Sequence, residues 1–333
     1  MKSALALRYA TFGPPEEVLH LEEVSLPPIE PDKALVNMLA APINPSDLGM
    51  ITGRYGHLKP LPTTAGREGV GKVSAIGSAV TNIRVGERVL LSESEGTWQT
   101  AYVTPAEKLQ SIPGDVAVTD AAMSQINPPT AWLLLHDASV QLRRGDWILQ
   151  NAANAAVGLC VIRLARKLGL HTFNVVRRAE LVAPLKAMGA DVVVTEEDDY
   201  ITQAQKLPDD ARIQLALNSV GGRSAANQLK ILTEGGIQVT FGAMSFEPVR
   251  FPTRFLIFKD IRLNGFWLER WLRDHSRQEI ANIFDQVYEA IREGTFRIPV
   301  EKAYRLQDYR AALAHNARPR LGKVIFTGDE PSL

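Results

Sequence analysis

Trp147-Ile148-Leu149-Gln150-Asn151-Ala152-Ala153-Asn154-Ala155-Ala156-Val157-Gly158 is the stretch that decides the fold. An unbroken apolar run passes through small and amide residues into a segment, 155–168, that is apolar nearly all round and stops at Gly169, a natural glycine just past a helix end. A strand that feeds a buried helix through small residues is where a dinucleotide fold keeps its phosphate loop. The backbone there must approach a pyrophosphate, and the helix N-terminus must offer unpaired N–H groups. The G-x-G-x-x-G string is absent, so on motif alone the loop reads as a tight strand-to-helix packing turn. Its surroundings favour the cofactor reading, with Asn154, Ala155, Ala156 and Val157 against the phosphates.

Those surroundings are further apolar runs at 171–176, 191–194, 213–218, 237–241 and 261–266, separated by helical stretches. Strands buried on both faces read as continuous apolar runs, and such strands alternating with helices predict a doubly wound six-stranded parallel sheet. The second strand, Asn174-Val175-Val176, runs into Arg177-Arg178, where an NAD-binding fold usually carries an acid for the ribose 2′-hydroxyl. Alone, the pair reads as solvated surface; at this position two guanidiniums suit a 2′-phosphate and favour NADPH. Asn218 and the turn Phe241-Gly242-Ala243-Met244 fall at carboxyl ends of strands, where ligands bind in such sheets. Ser276 and Glu279 form a capping box ahead of Ile280, Ile283, Phe284, Val287 and Ile291 at helical spacing.

Upstream the texture differs. Residues 1 to about 120 carry short β-branched runs broken by Pro and Gly, a compact, mostly β domain. Lys323-Val324-Ile325-Phe326 is a short strand that can return to it and make it discontinuous. The expected organisation is therefore a catalytic domain over 1–121, a dinucleotide-binding domain over 122–295, and a return segment over 296–333.

The whole chain sets limits. It has 333 residues, enough for about two domains, with 45% hydrophobic and 22% charged residues, an ordinary globular composition and not a disordered one. Lys+Arg and Asp+Glu are both 37, so no basic excess points to nucleic acid. No apolar run is long enough for a membrane span. The first nine residues lack signal- or transit-peptide features, which makes the expectation cytoplasmic. The single Cys160 sits inside the apolar helix as a core residue and cannot help build a Cys/His/Cys zinc set; no H-E-x-x-H and no G-x-S-x-G occurs.

The order β-rich domain, then dinucleotide fold, resembles the medium-chain dehydrogenase/reductase superfamily, with its GroES-like catalytic domain. Three segments narrow the likeness to zinc-independent trans-2-enoyl thioester reductases of the mitochondrial fatty-acid-synthesis type. They are Ile43-Asn44-Pro45-Ser46-Asp47 through Gly53-Arg54-Tyr55-Gly56, the loop from Gln150 with Asn174-Val175-Val176-Arg177, and Leu256-Ile257-Phe258-Lys259-Asp260 with Gly265-Phe266-Trp267-Leu268 and Trp271. Asn44 stands where related alcohol dehydrogenases carry a zinc-binding Cys, and Arg67 where they carry a zinc-binding His. Arg67 also departs from the neutral residue usual in the enoyl reductases, and Ala155-Ala156 from the usual Gly or Ser.

The resemblance implies NADPH-dependent reduction of a C=C bond conjugated to a carbonyl, with hydride to the β-carbon and a proton to the α-carbon. It makes Tyr55 the catalytic residue, with Asn44 aligning either Tyr55 or the nicotinamide. It places Asn127 and Thr130 at the cofactor, and Phe266, Trp267 and Arg67 at an apolar acyl pocket; the two aromatics read equally as plain core packing, and Lys323 reads either as reaching the cofactor or as a surface lysine. It also implies a homodimer. Read without the resemblance, Tyr55 is a loop tyrosine packing its ring against the core. Two alternatives stay open: a quinone or small-enone reductase on the same scaffold, and a non-catalytic NADPH-binding redox sensor.

Overall fold

Six strands of the later chain pair in parallel: β1 (Trp147–Gln150), β2 (His171–Val176), β3 (Val192–Thr195), β4 (Ile213–Asn218), β5 (Ile237–Thr240) and β6 (Arg262–Gly265), in the order β3-β2-β1-β4-β5-β6. This is the doubly wound order in which the chain reverses direction across the sheet beside the first strand. The structure is a computed structural model that describes residues 2–137 and 139–328. The chain divides into two units: residues up to Ile126 together with those from Ile298 onward, and Asn127–Arg297.

In the second unit β1 is buried at every residue. The helix that follows, Ala156–Leu168, ends on Gly169 in the left-handed conformation at φ 71°, which frees the terminal carbonyls to accept from the turn. Gly158 meets the loop so closely that a Cβ there would lie 2.5 Å from the Ala153 carbonyl oxygen, so only glycine lets the helix start against the loop. Ser276 and Glu279 cap Arg277–Arg292 reciprocally. One expectation fails. The apolar run 261–266 predicts a strand buried on both faces, yet β6 is exposed at every residue and, as the sheet edge, pairs only with β5.

The first unit centres on the strand Lys33–Pro42. It pairs antiparallel with Val70–Ile76, with Ala101–Pro105 and with the late strand Lys323–Thr327, through Ile325↔Pro42 and Thr327↔Ala40. The chain thus leaves this unit and comes back to complete its sheet. Trp98 and Phe326 meet edge-on at 5.1 Å in the core beneath. The helix Pro45–Ile51 starts directly after the central strand and carries the site residues described next.

Candidate active site

Asn44 is the N-cap of Pro45–Ile51, a position favouring Asn because its backbone is extended while the helix has already begun. Its backbone N–H donates to Asp47 Oδ2 at 2.6 Å. Its side-chain amide is used on both sides: Nδ2 donates to Glu68 Oε1 at 2.7 Å, and Oδ1 accepts from the Lys323 ammonium. Lys323 also donates to the Ile43 carbonyl at 3.3 Å. The other Glu68 oxygen accepts the backbone N–H groups of Gln125 and Ile126, at 3.2 and 2.9 Å. Asn44, Asp47, Glu68 and Lys323 are all buried. Burial pushes the Glu68 carboxyl up to about 7, against the Asn44 hydrogen bond and the Lys323 charge. It pushes Asp47 up to about 6, against the Asn44 N–H and the Arg67 charge.

Tyr55 follows that helix on a short loop and is half-buried. Its ring lies against Gly49, where a Cβ would be 3.4 Å from Cδ2, and beneath the Arg67 guanidinium, whose Cζ is 4.5 Å from the ring centroid. Arg67 is itself buried and forked onto Glu93, Nε to Oε1 at 2.8 Å and Nη2 to Oε2 at 3.2 Å. The Lys59 ammonium donates to the Glu93 backbone carbonyl, and burial lowers the Lys59 pKa. The structure therefore brings together Asn44 with Lys323, and Tyr55 with Arg67. Asp47, Lys59, Glu68 and Glu93 were not singled out from sequence. Only Asp47, three residues past an N-cap Asn, leaves a local signal.

In the second unit the carboxyl ends of the strands carry a lattice of amides and hydroxyls that ends on one carboxylate, Glu196. Asn151, just after β1, donates to Asn218 Oδ1 at 2.9 Å and to Ser224 Oγ at 3.0 Å, and accepts the Ser219 N–H at 2.8 Å. Asn218 Oδ1 also accepts the Val220 and Gly221 N–H groups, and its amide donates to Thr240 at 3.1 Å. Ser224 donates to Glu196 at 2.7 Å, and Tyr200 donates to the same carboxylate at 2.8 Å. Asn151, Ser224 and Glu196 are additions to the sequence reading.

Of the sequence candidates here, Asn127 and Thr130 are buried on Asn127–Leu135, and Asn154, Ala155 and Val157 are half-buried at the loop beside buried Ala156. Phe241 and Gly242 are half-buried, Met244 is exposed, and Phe266 and Trp267 are half-buried beyond β6. Arg177 is exposed, and Arg178 donates to Glu180 at 2.9 Å.

This surface fits a dinucleotide. The N-cap Ala155 makes no side-chain cap bond to the first N–H groups of Ala156–Leu168, a geometry that suits an anion. At Gly242 a Cβ would lie 2.9 Å from the Ser219 carbonyl oxygen, another close backbone approach beside the site.

Fold and site together define an oxidoreductase of the medium-chain dehydrogenase/reductase class. Residues 30–114 match the alcohol dehydrogenase GroES-like domain, and residues 156–286 the zinc-binding dehydrogenase domain. At 41% identity over 329 residues, 97% of this chain aligns with 88% of the mitochondrial enoyl-[acyl-carrier-protein] reductase of Rattus norvegicus; that of Dictyostelium discoideum is 38% identical over 96% of this chain and 93% of its own. The chain belongs to this enoyl reductase family. Among solved structures, the mitochondrial 2-enoyl thioester reductase heterodimer of Candida tropicalis superposes with a TM-score of 0.87 at 26% identity, covering 98% of this chain and 100% of that one. A complex of Etr1p with NADP and crotonyl-CoA reaches 0.88 at 26%, with the same coverage. A Bacillus thuringiensis protein described as an NADPH:quinone reductase reaches 0.89 at 30%, again over 98% and 100%.

The domain name raises the question of zinc. The residues do not fit it: Asn44 is engaged by Glu68 and Lys323, Arg67 by Glu93, and among the described residues no three His, Cys, Asp or Glu side chains could hold an ion. The expected cytoplasmic location is corrected, because the curated relatives are mitochondrial enzymes. That expectation rested on features the N-terminal residues lack, and an absence assigns no compartment. Among the described residues no helix is long and apolar enough to cross a membrane.

Proposed function

We propose that this chain reduces the C=C bond of a 2-enoyl thioester with NADPH, and that Tyr55 delivers the proton. The observation that carries the reading is the 41% identity with an enoyl-[acyl-carrier-protein] reductase along 97% of the chain, which spans both the Tyr55 segment and the phosphate loop. The Candida tropicalis enzyme and the Etr1p complex with NADP and crotonyl-CoA support the substrate class and the cofactor.

Bound NADPH supplies the hydride that the β-carbon accepts. Negative charge then develops on the thioester oxygen and the α-carbon, and with no metal in the donor set the oxygen must be met by hydrogen-bond donors. The Tyr55 hydroxyl donates its proton to the α-carbon. Asn44, fixed on both faces of its amide, aligns the catalytic segment. The N–H groups at Asn154–Val157 and the Arg177-Arg178 pair would hold the phosphates, with Asn127, Thr130, Asn218, Phe241, Gly242 and Met244 along the rest of the cofactor and Lys323 behind Asn44. Phe266 and Trp267 would wall the acyl pocket, and Arg67 belongs with Tyr55 in the first unit. A homodimer through β6 accords with that strand's exposed edge and with Ile257 and Phe258, 69% and 76% exposed on the preceding helix.

A second reading, a quinone or small-enone reductase, is favoured by the Bacillus thuringiensis neighbour. Following NADPH oxidation with crotonyl- and hexenoyl-thioesters, free enals and quinones separates the two. Turnover with thioesters is expected. Turnover confined to quinones or enals would replace the reading with the second, and cofactor binding without turnover on any activated alkene would leave a redox sensor.

A further inference from the structure

The sequence leaves Arg67 as a charge with no assigned partner; the structure gives it two. We propose that Arg67 is a positioning residue for Tyr55, a buried guanidinium anchored by Glu93 that fixes the plane of the phenol ring. The inference rests on Tyr55 being the proton donor.

The backbone that presents Arg67 is rigid. Gly66 sits at φ 92°, and a Cβ there would lie 2.4 Å from both Thr97 Oγ1 and Trp98 Cδ1, so the turn requires glycine. Trp98 is in turn pinned by its indole N–H donating to the Pro42 carbonyl at 3.2 Å. From this base the guanidinium takes the Glu93 carboxylate as a two-pronged fork and presents its face to the Tyr55 ring at 4.5 Å. Glu93 ties the same loop a second time, since its backbone carbonyl accepts from Lys59. Tyr55 and Lys59 are thus held to one residue by two routes.

The Arg67 side chain is 5% exposed and its Nε and Nη2 are committed to Glu93, an arrangement for holding a neighbour and not for capturing a substrate anion. A cation held over an aromatic face is attracted by the ring's quadrupole. That attraction favours one ring orientation among several. Lysine cannot reproduce it, because a point charge on a flexible stem cannot fork onto a carboxylate and stack on a ring together.

The test is a double-mutant cycle on crotonyl-thioester reduction. Arg67→Gln is expected to lower kcat at least tenfold, with the KM for NADPH unchanged within twofold, and Arg67→Lys to recover less than half of the loss. In a Tyr55→Phe background the same Arg67→Gln change is expected to cost less than twofold. Equal losses in both backgrounds would overturn the proposal, as would an effect confined to the KM of the thioester. Glu93→Gln, which leaves Arg67 in place but weakens its anchor, should shift kcat the same way by a smaller factor; an unchanged kcat there removes Glu93 from the device. A readout free of turnover is the ring-carbon NMR signal of Tyr55 in tyrosine-labelled protein, assigned by its loss in Tyr55→Phe. It should move in Arg67→Gln, and an unmoved signal overturns the clamp. If the wild-type protein reduces no thioester, the proton-donor reading falls while this signal still decides whether Arg67 holds the ring.

Discussion

Under the strand ends of the dinucleotide unit, the buried polar side chains are uncharged: Asn151, Asn218 and Ser224 satisfy one another and the backbone turns around them. In the unit that carries Tyr55 the buried cluster around Asn44 is largely ionisable. Asp47, Glu68, Arg67 and Lys323 are all buried, and Asp47 Oδ1 is a buried oxygen without a hydrogen-bond partner. The difference accords with the roles proposed for the two surfaces. A cofactor platform needs fixed dipoles that hold their shape at any pH, and a satisfied amide lattice provides them. A site that stabilises a developing anion and moves a proton gains from charges of both signs placed nearby in advance. The charged arrangement costs more, because each buried carboxyl resists ionisation.

The largest effect expected from breaking this contrast is at Tyr55. Tyr55→Phe removes one hydroxyl and keeps the ring that Arg67 covers, so folding should be retained. Loss of a proton donor costs about 10²–10⁴-fold in rate, and kcat for crotonyl-thioester reduction should fall by about 100-fold or more. Undiminished turnover would take Tyr55 out of the mechanism.

The next effect is on stability against pH. The folded protein raises Glu68 from 4.5 to about 7, so between those values the native state binds more protons than the unfolded chain. Stability is then greatest at the acid end of that window and falls as pH rises through it, by on the order of 3 kcal/mol at most. Asp47, raised from 3.8 to about 6, acts in the same direction over its own window. Denaturant unfolding from pH 5 to pH 8 should show the decline, and Glu68→Gln should flatten it whatever that variant does to the absolute stability. Asn151→Ala, a cut in the neutral lattice, should cost about 1–3 kcal/mol, the same at both ends of the range. An unflattened slope in Glu68→Gln would remove Glu68 as its source.

The two regions were unequally legible in the sequence. The sheet could be read because each buried strand is a continuous apolar run and some helices carry their own stop or cap, as Gly169 and the Ser276–Glu279 pair do. These are signals within a few residues of what they specify. β6 was misjudged in burial for the complementary reason: a run of residues does not say whether a neighbouring strand exists. The cluster around Asn44 was only half visible. Asn44, Tyr55, Arg67 and Lys323 were singled out one at a time, but Glu68, Glu93 and Lys59 matter through whom they touch. Lys323 reaches Asn44 only because the last strand returns to Lys33–Pro42; the short run 323–326 suggests that return but not which strand it joins.

The smallest of these effects belongs to the Arg177-Arg178 pair at the rim of that platform. Arg177 and Arg178 follow β2, Arg177 exposed and Arg178 already donating to Glu180. Charges in contact with solvent are screened, so a 2′-phosphate held there gains less than it would from buried groups. Replacing both by Ala should raise the KM for NADPH about tenfold and leave NADH within twofold, since a ribose hydroxyl offers no charge to lose. Arg177→Ala alone should account for most of the change, because part of the Arg178 guanidinium is spent on Glu180, and the difference between the two cofactors should narrow as salt is added. Equal losses for NADPH and NADH would mean the pair shapes the turn after β2 and does not read the phosphate, and the neutral platform would then extend to its edge.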